Sequence, residues 1–517
     1  QIVSHDLAAY DGHFKSVIKL DSLSPEDLEQ AKARACLLWD EHVKKRRIQN
    51  GNVEVSDMLL IQCPPWDNSM PPLGIAYLAN YLRHNGTKVA VDDLNAHLSQ
   101  KAPECARYLW EQRSYDLWHD HECFKNTWGL IKEITIAHVD DLFRRNDPIC
   151  VGLSVNAAGI SFAAKLIQII KERKPTVRIV VGGWGCINAH MRSLYPWDSV
   201  DAFVVGEGEE TIKEVVDVLK GNRSADNIPG VVFTSTGEKA YVPRKPVENI
   251  DTIPWPTFRE FDLSLYTTPV LPIFASRGCI GHCSFCNDWP VSKPYRYRTA
   301  WNIFGELEHH VKKYNIHVFS FKDLLCNGNI HQLDVFCDLV INSGLEIHWD
   351  SQAISHKGMT FDLLVKMKKA GCSTLIYGIE SFSNNVLRRM KKLFDAETCQ
   401  RVLRDTHNAG IQTITNIIVG FPGETEEDFE ETLEALRRNR EYIAQVGAVS
   451  TCLINGESEL EEKAAEYGIE MSDDCQIRAK KWWSSDGQNT YELRRERAER
   501  VLALLAELDY NYATVTM

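Results

Sequence analysis

Three cysteines lie close together in the middle of the chain, at Cys279, Cys283 and Cys286. Thiolates at this spacing can converge on one metal centre if the segment loops around it, and Gly278 and Gly281 give the backbone that freedom. Structural zinc takes four ligands, whereas an iron–sulfur cluster held by three cysteines leaves one iron open to another ligand. The segment therefore predicts an iron–sulfur cluster. The alternatives are a zinc site that adds the neighbouring histidine and three unrelated cysteines.

The cysteine segment follows an apolar stretch that predicts a buried strand near 272–275. Further strands, each followed by a helical pattern, are predicted near 317–321, 345–349, 373–377, 412–418 and 446–452. Six strand–helix units predict a parallel, curved sheet, which is a partial (β/α)6 barrel over residues 266–453. Such folds carry their active sites at the carboxyl ends of the strands. The cysteine segment lies at such an end.

Residues 57–222 also alternate between strand and helix, which predicts a doubly wound α/β domain with a parallel sheet. Ligands of such sheets bind at the carboxyl ends of the strands. The residues at those ends are Cys63 to Trp66, Ser154, Gly182, Gly183 and Gly206 to Glu209. A tight turn explains a single glycine pair, but several pairs in one register predict a ligand crevice.

The remaining segments are expected to be extensions and a connector. Residues 1–56 predict a helical N-terminal extension, and the proline-rich residues 223–265 predict a linker. Residues 454–517 predict a helical C-terminal region with a helix from about 491 to 508. Four charged residues on that helix predict surface ion pairs, namely Glu492, Arg494, Arg495 and Glu496.

The composition excludes several classes of protein. Acidic residues outnumber basic ones, 71 to 58, and the net charge of −13 disfavours binding to nucleic acid or anionic membranes. No apolar run is long enough for a membrane-spanning helix, and the first residues lack the layout of a signal peptide. The odd count of 15 cysteines argues against a disulfide framework and for the reducing cytoplasm.

The CxxxCxxC spacing, with Phe285 before the last cysteine, resembles the radical S-adenosylmethionine (SAM) superfamily. The resemblance implies that the three cysteines hold a 4Fe–4S cluster whose open iron binds SAM. Electron transfer to SAM, from a donor such as flavodoxin or ferredoxin, then yields a 5′-deoxyadenosyl radical that abstracts hydrogen from the substrate. The implied SAM contacts are Phe285, Asp323, Glu380, Ser381, Ile418 and Gly420. Asp323 replaces the Gly-Gly-Glu-like motif that the family usually carries there.

The N-terminal sheet resembles the flavodoxin-like cobalamin-binding domain of the cobalamin-dependent (class B) members. The implied cobalamin contacts are Pro65, Trp66, Met70, Ser154, Gly182, Gly183, Gly206, Glu207 and Gly208. The chain lacks the Asp-x-His-x-x-Gly motif that supplies a cobalt-binding histidine after the first strand. Either cobalamin binds without a protein histidine on cobalt, or the domain binds none. The glycine-rich strand ends favour binding.

The resemblance implies an enzyme that transfers a methyl group from methylcobalamin to an unactivated carbon of a small-molecule substrate. A cobalamin-dependent radical cyclisation, oxidation or rearrangement without methyl transfer is the alternative within enzymes. A corrinoid-binding carrier or sensor and a zinc-dependent binding protein are alternatives of other classes. The expected partners are a small-molecule substrate and an electron donor, with no nucleic acid and no membrane span, and the chain is expected to be a monomer.

Overall fold

A computed structural model describes residues 54–111, 114–472 and 481–516. The chain divides into two compact units, with the boundary between Pro272 and Ile273. The helical extension predicted for residues 1–56 lies outside the described residues, except for residues 54–56. These begin the first strand instead of ending a helix.

The first unit is built on a six-stranded sheet. Its strands are β1 (Glu54–Gln62), β2 (Val89–Asp92), β3 (Asn146–Ser154), β4 (Arg178–Gly182), β5 (Ala202–Val204) and β6 (Val231–Phe233). Their order across the sheet is β2-β1-β3-β4-β5-β6. The first five strands are parallel, and only β6 pairs antiparallel, with β5. This is the flavodoxin-like strand order, so the prediction of a doubly wound sheet is confirmed.

Helices connect these strands and pack on the sheet. They are α1 (Leu73–His84), α2 (Leu94–Lys101), α3 (Asp116–His119), α4 (His121–Arg145), α5 (Ile160–Arg173), α6 (Ala189–Ser193) and α7 (Glu209–Leu219). Residues of α1 and α7 share one apolar cluster with alternate strand residues such as Met58 and Leu60. Leu59 and Val151, on the other face, are also fully buried. Burial on both faces explains why β1 is a continuous apolar run.

Two segments of the first unit contain more regular structure than the sequence predicts. The excursion between β2 and β3 forms α2, α3 and α4. The proline-rich segment 223–265 supplies β6, whose residues are all buried at the edge of the sheet. Three residues are too few for a periodic signal to stand out among so many prolines, so the pattern indicates only a linker.

The second unit is built on a seven-stranded sheet. Its strands, in spatial order, are β7 (Val270–Ile273), β10 (Val318–Phe321), β11 (His348–Ala353), β12 (Cys372–Glu380), β13 (Gln412–Val419), β14 (Gln445–Thr451) and β17 (Asn511–Thr516). Two short antiparallel strand pairs are not part of this sheet. One pair is β8 (Ser276–Arg277) with β9 (Arg296–Tyr297), and the other is β15 (Ile469–Met471) with β16 (Trp482–Ser484). From β7 to β14 the sheet follows chain order, as a barrel built from consecutive units requires.

The helices of the second unit alternate with its strands. They are α8 (Asp288–Ser292), α9 (Ala300–Tyr314), α10 (Ile330–Ser343), α11 (Phe361–Lys369), α12 (Asn384–Arg389), α13 (Ala396–Asn408), α14 (Glu426–Arg438), α15 (Glu459–Glu462) and α16 (Tyr491–Glu507). Phe336 of α10 packs edge-on against Phe321 and Trp349 of two neighbouring strands. Within the described ranges, no helix combines the length and apolarity that crossing a bilayer requires.

The C-terminal segment differs from the purely helical region that the sequence predicts. It contains α15 and α16, but it also forms the β15–β16 pair and the strand β17, which pairs parallel with β14. The seventh strand therefore comes from the far end of the chain and covers the edge that the six predicted units leave open. No strand is predicted after β14, because residues 511–516 form a single strand after the last helix and no further strand–helix unit repeats there.

We predict that Gly371→Ala destabilises the second unit much more than Gly344→Ala. Both glycines have positive φ, +91° and +68°, which costs about 1–2 kcal/mol for alanine. A Cβ at Gly371 also meets the carbonyl oxygen of Ile347 at 2.0 Å, whereas a Cβ at Gly344 meets nothing within 4 Å. Thermal unfolding of the two variants measures the difference, and equal losses would contradict the steric argument.

Candidate active site

The cysteine loop begins directly after β8, at one edge of the barrel sheet. The backbone nitrogen of Gly281 donates a hydrogen bond to Cys279 Sγ (3.2 Å), and the backbone nitrogen of Cys286 donates one to the Cys283 carbonyl (3.1 Å). A Cβ at Gly281 lies 3.5 Å from Cys279 Sγ and 3.8 Å from Cys283 Sγ. The loop therefore brings the sulfurs of Cys279 and Cys283 close to Gly281. Convergence of all three thiolates on one metal centre stays a prediction.

None of the three cysteines forms a disulfide bond, and all three are partly exposed, so an incoming ion can reach them. Burial raises the pKa of the Cys279 thiol to about 11 and also raises that of Cys283. Both groups are therefore thiols at neutral pH in the absence of a metal, and metal binding must release their protons. Three thiolate donors fit an iron–sulfur cluster with one open iron better than a closed zinc site.

Ser284 fixes the loop to the elements around it. Its backbone nitrogen donates to the Met390 carbonyl (3.1 Å), and its hydroxyl donates to the Arg389 carbonyl (3.1 Å) at the end of α12. Its own carbonyl accepts a hydrogen bond from the Leu460 backbone nitrogen (2.9 Å) in α15. These bonds lie between two of the cysteines, so they hold the loop in shape when no metal is bound.

Asp323 supports the start of the same loop. The residue follows β10 and is buried, and burial raises its pKa to about 6. Its carboxylate accepts hydrogen bonds from the Ala275 backbone nitrogen (2.9 Å) and from the Ser276 hydroxyl (2.7 Å). The side chain therefore holds the chain that leads from β7 into the cysteine loop. The predicted SAM contact and this supporting role involve the same carboxylate.

Glu380 lies at the end of β12 with the left-handed φ of +72°, which is rare for a residue other than glycine. Lys392, which the sequence analysis missed, lies beside it. The Lys392 ammonium donates to the Gly378 carbonyl (2.8 Å), lies 3.4 Å from Glu380 Oε1 and sits 5.2 Å from the centre of the Phe285 ring. Backbone strain and a buried ion pair thus occur together at this strand end, as they do at many functional sites.

Lys392 also connects this ion pair to the cysteines. Its side chain is only 8% exposed. Burial lowers its pKa, but Glu380 and the thiolate forms of Cys283 and Cys286 outweigh burial, and the net shift is upward. A buried permanent cation therefore lies next to two predicted cluster ligands. The sequence signal was weak, because Lys391-Lys392 after a short helix has the pattern of an ordinary basic helix end.

The other predicted SAM residues have different surroundings. Ser381 is fully buried, and its hydroxyl lies 3.2 Å from the Thr432 hydroxyl of α14. Ile418 belongs to an apolar cluster against which Phe285 packs, so the structure brings these two together. Gly420 has a φ of +71°, and its backbone nitrogen donates to Glu424 Oε2 (2.6 Å). Glu424 thus closes a tight turn after β13.

Arg494 corrects one prediction from the sequence. The residue was expected in a surface ion pair, but its side chain is fully buried. Its guanidinium stacks 3.9 Å from the Trp482 ring, and it donates to Asn489 Oδ1 (3.0 Å) and to the Trp482 carbonyl (2.8 Å). A Cβ at Gly420 collides with this side chain at 2.2 Å. Arg494 therefore explains why glycine occupies position 420.

The loop after β1, in the first unit, is held by two asparagines. Asn95 Oδ1 accepts hydrogen bonds from the Trp66 backbone nitrogen (3.0 Å) and from the Trp110 indole (2.9 Å). Asn156 Nδ2 donates to the Pro65 carbonyl (2.5 Å). Met70, in the same segment, is buried. These contacts fix the loop that the sequence predicts beside the cobalamin, and the sequence analysis named neither asparagine.

The predicted glycines lie along the same edge of the first sheet. Ser154 and Gly182 are register partners in β3 and β4. A Cβ at Gly206 meets no atom within 4 Å, so this backbone borders open space, whereas a Cβ at Gly182 makes ordinary contacts with Val204 at 3.8 and 3.9 Å. Gly183 is packed more tightly, because a Cβ there lies 2.6 Å from the Val155 carbonyl oxygen. The open space beside Gly206 is compatible with a ligand at this strand end.

Glu207 and Gly208, which follow β5, already make contacts within the protein. Glu207 Oε2 accepts a hydrogen bond from the Val247 backbone nitrogen (2.9 Å), and so holds the segment that follows β6. A Cβ at Gly208 meets Leu78 Cδ2 at 3.2 Å, which makes this glycine a packing position against α1. Gly206 is therefore the residue of this turn with open space next to its backbone.

Asp350 is a second buried acid that the sequence analysis missed. Trp349 packs on the helical side of the sheet, so its neighbour Asp350 lies on the inner face. Burial raises the pKa of Asp350 to about 7, although Lys322 and the Ser320 hydroxyl, which donates to Oδ1 (3.1 Å), oppose the rise. An acid that titrates near neutral pH inside a barrel is able to exchange a proton with a substrate.

We predict that Asp350→Asn stabilises the second unit more at pH 8 than at pH 5.5. The pKa of Asp350 is about 7 in the folded protein and near 3.8 in a free chain. The protonated Asp350 carboxyl therefore makes its full contribution to the free energy of unfolding below about pH 4, and this contribution is lost as the pH rises through about 7. Unfolding temperatures across this range measure the effect. Asp334→Asn, a partly exposed acid on α10, is the control, and a difference independent of pH would contradict the prediction.

Comparison with known proteins identifies the second unit. Residues 273–436 match the model of the radical SAM superfamily. An uncharacterized methyltransferase of Pyrococcus horikoshii is 25% identical over 395 residues, which cover 74% of this chain and 78% of that protein. The anaerobic magnesium-protoporphyrin IX monomethyl ester cyclase of Rubrivivax gelatinosus is 28% identical over 308 residues, which cover 56% of this chain and 54% of the cyclase.

A solved structure resembles both units. It is the radical SAM methyltransferase TsrM of Kitasatospora setae, with cobalamin and a 4Fe–4S cluster bound. The TM-score is 0.65 at 15% identity, and the match covers 90% of this chain and 93% of TsrM. The predicted resemblance is confirmed. Residues 273–436 thus form a radical SAM domain, and the fold of the chain resembles that of this cobalamin-containing structure.

Proposed function

We propose that this enzyme is a cobalamin-dependent radical SAM methyltransferase that acts on a small molecule. The observation that carries the proposal is the occurrence, in one chain, of two sites at the carboxyl edges of parallel sheets. One is a loop with three available thiols and an adjacent buried cation. The other is a glycine-rich sheet edge where the Gly206 backbone borders open space.

Cys279, Cys283 and Cys286 hold the cluster in this account. When bound, the cluster and SAM supply the 5′-deoxyadenosyl radical, and cobalamin supplies the methyl group that the substrate receives. Ser284 and Asp323 keep the loop in its folded shape through bonds to backbone groups. Loading of the cluster then requires little reordering of the chain, so less of the binding free energy is lost.

Glu380 and Lys392 are suited to bind the charged methionyl end of SAM. A carboxylate matches the amino group of SAM, and an ammonium matches its carboxylate. Phe285 packs against the apolar cluster that contains Ile418, and its ring offers a flat surface to the adenine. Asp350, on the inner face of the sheet, is available to hold or accept a proton of the substrate.

The first unit would hold cobalamin at the ends of β1, β3, β4 and β5. Gly182 and Gly206 leave room for the ligand, and Asn95 and Asn156 fix the loop that carries Trp66. This loop contains no histidine, so no imidazole from it binds cobalt. We propose a small-molecule substrate, an external one-electron donor and a monomeric enzyme as the functional setting.

A radical cyclisation is the second candidate. It is favoured by the 28% identity to the cyclase of Rubrivivax gelatinosus. Both candidates use the same cysteine loop and the same glycine-lined edge, so these sites do not discriminate between them. The fate of the methyl group of SAM discriminates, because only a methyltransferase passes it to cobalamin and then to the substrate.

The direct test supplies the reconstituted holoenzyme with a low-potential reductant and SAM that carries a trideuterated methyl group. A methyltransferase yields S-adenosylhomocysteine and methylcobalamin with the mass of the labelled methyl group, without any need to know the substrate. The variant with all three cluster cysteines changed to alanine controls for chemical methylation. Formation of 5′-deoxyadenosine without labelled methylcobalamin would overturn methyl transfer and support the cyclase-like alternative.

We predict that Lys392→Met makes the cluster harder to reduce. A cation beside the ligand thiolates stabilises the added electron, so its loss moves the reduction potential to a more negative value. Lys392→Arg retains the charge and is the matched control. Electron paramagnetic resonance during a redox titration measures both potentials, and an unchanged or raised potential in Lys392→Met would contradict the role of this cation.

We predict that Gly182→Leu weakens cobalamin binding by at least about tenfold, because the longer side chain enters the space beside the sheet edge. The backbone of Gly182 does not have a positive φ, and a Cβ there meets Val204 at the ordinary contact distances of 3.8 and 3.9 Å, so a side chain can be attached without backbone strain. Gly182→Ala is the matched control and retains binding. The absorbance of bound hydroxocobalamin measures the change. Normal binding by Gly182→Leu would exclude this edge as the cofactor site.

A further inference from the structure

Three metal-ligating side chains meet in the first unit, and none of them is among the residues assigned to cobalamin. Asp92 ends β2, His97 lies on α2 and His138 lies on α4. One oxygen of the carboxylate and one nitrogen of each imidazole all lie within 4.8 Å of one another. Asp92 and His138 are buried, whereas the His97 side chain is 30% exposed. Three separate elements thus direct ligand atoms to one point.

Two separations within this group are compatible with a metal site. His138 Nε2 lies 3.0 Å from Asp92 Oδ2, which is a hydrogen bond. His97 Nε2 lies 3.8 Å from Asp92 Oδ1, which is too long for one. Ligands of one tetrahedral zinc ion lie about 3.4 Å apart, because each bond to zinc is about 2.0–2.2 Å long. The two observed separations bracket this value.

His97 is the residue that a simple Asp–His pair leaves unexplained. Within the described ranges the structure gives its imidazole no hydrogen bond, although the ring centre lies 4.6 Å from that of the His138 ring, with the two planes tilted by 36°. A pair formed by Asp92 and His138 has no need of a second imidazole whose Nε2 faces the same carboxylate. A metal ion accounts for the second imidazole, since two imidazoles and one carboxylate form a common set of three protein ligands for zinc.

We propose that Asp92, His97 and His138 bind a divalent transition-metal ion, for which zinc is the probe, with the fourth position occupied by water. The partial exposure of His97 provides a path of entry. The ion would join β2 to α2 and α4. Because α2 carries Asn95, which holds the Trp66 loop, the ion would also stiffen the support of that loop. The proposal does not depend on the proposed enzymatic activity.

Lys101 is the group that opposes the ion. Its ammonium lies 3.3 Å from His138 Nδ1 and donates to it, which places the ring proton on Nε2. Metal binding at Nε2 requires that proton on Nδ1, so Lys101 must move away, and its exposed position permits this. Arg145 adds a second positive charge near Asp92, and Asp262 places a negative charge near His97. Lys101 is thus the side chain whose removal should favour zinc.

The test adds zinc chloride to the holoenzyme, whose cysteine loop is already occupied by iron, and counts zinc after desalting. About one zinc per chain is expected for the wild type. His97→Ala and His138→Ala should lose this zinc, and His84→Ala, an exposed histidine of the same unit, should retain it. The variant with all three cluster cysteines changed to alanine should also retain it, which separates this site from the cysteine loop.

Lys101→Ala keeps the test decisive if a histidine variant folds poorly. It should bind zinc more tightly than the wild type, by at least about threefold, because a charge opposing the ion is removed. A misfolded protein does not gain affinity in this way. Zinc content in His97→Ala equal to that of the wild type, loss of zinc in the cysteine variant, or weaker binding in Lys101→Ala would each overturn the proposal.

Discussion

Parallel strand pairing is the constraint on which both candidate active-site regions depend. Strands that run in the same direction end at the same edge, so residues far apart in the sequence meet there. In the second unit this edge gathers Asp323 after β10 and Glu380 at the end of β12, and the cysteine loop follows β7 through the short strand β8. In the first unit it gathers Ser154 and Gly182, which are direct register partners. The chemistry of each unit is thus concentrated along one edge of its sheet.

Buried charges then give the barrel edge its character. Lys392 and Glu380 form an ion pair with little exposure, beside the ring of Phe285. A pair removed from water is costly unless further bonds satisfy it, and Lys392 obtains one from the Gly378 carbonyl. Such a pair contributes little to stability compared with an apolar pair of the same size. Its presence at a strand end with strained backbone is better explained by a charged ligand.

The sequence predicts the elements that follow from strong local patterns. Continuous apolar runs identify the strands, and the spacing of Cys279, Cys283 and Cys286 identifies the cysteine loop. It does not predict β6 and β17, which are short or isolated and depend on pairing partners from elsewhere in the chain. The prediction of a surface ion pair for Arg494 is wrong for a related reason, since the burial of this residue depends on Trp482 and Asn489. The partners of a buried polar side chain can be identified only from the three-dimensional structure.

The measurement that tests the central claim most directly is a count of iron and cobalt in one sample, after anaerobic reconstitution with iron, sulfide and hydroxocobalamin. The account predicts about four irons and one cobalt per chain, together with the absorbance of both cofactors. Iron without cobalt would contradict it. The chain would then be a radical SAM enzyme whose first unit serves another purpose, and the proposal of cobalamin-dependent methyl transfer would fall.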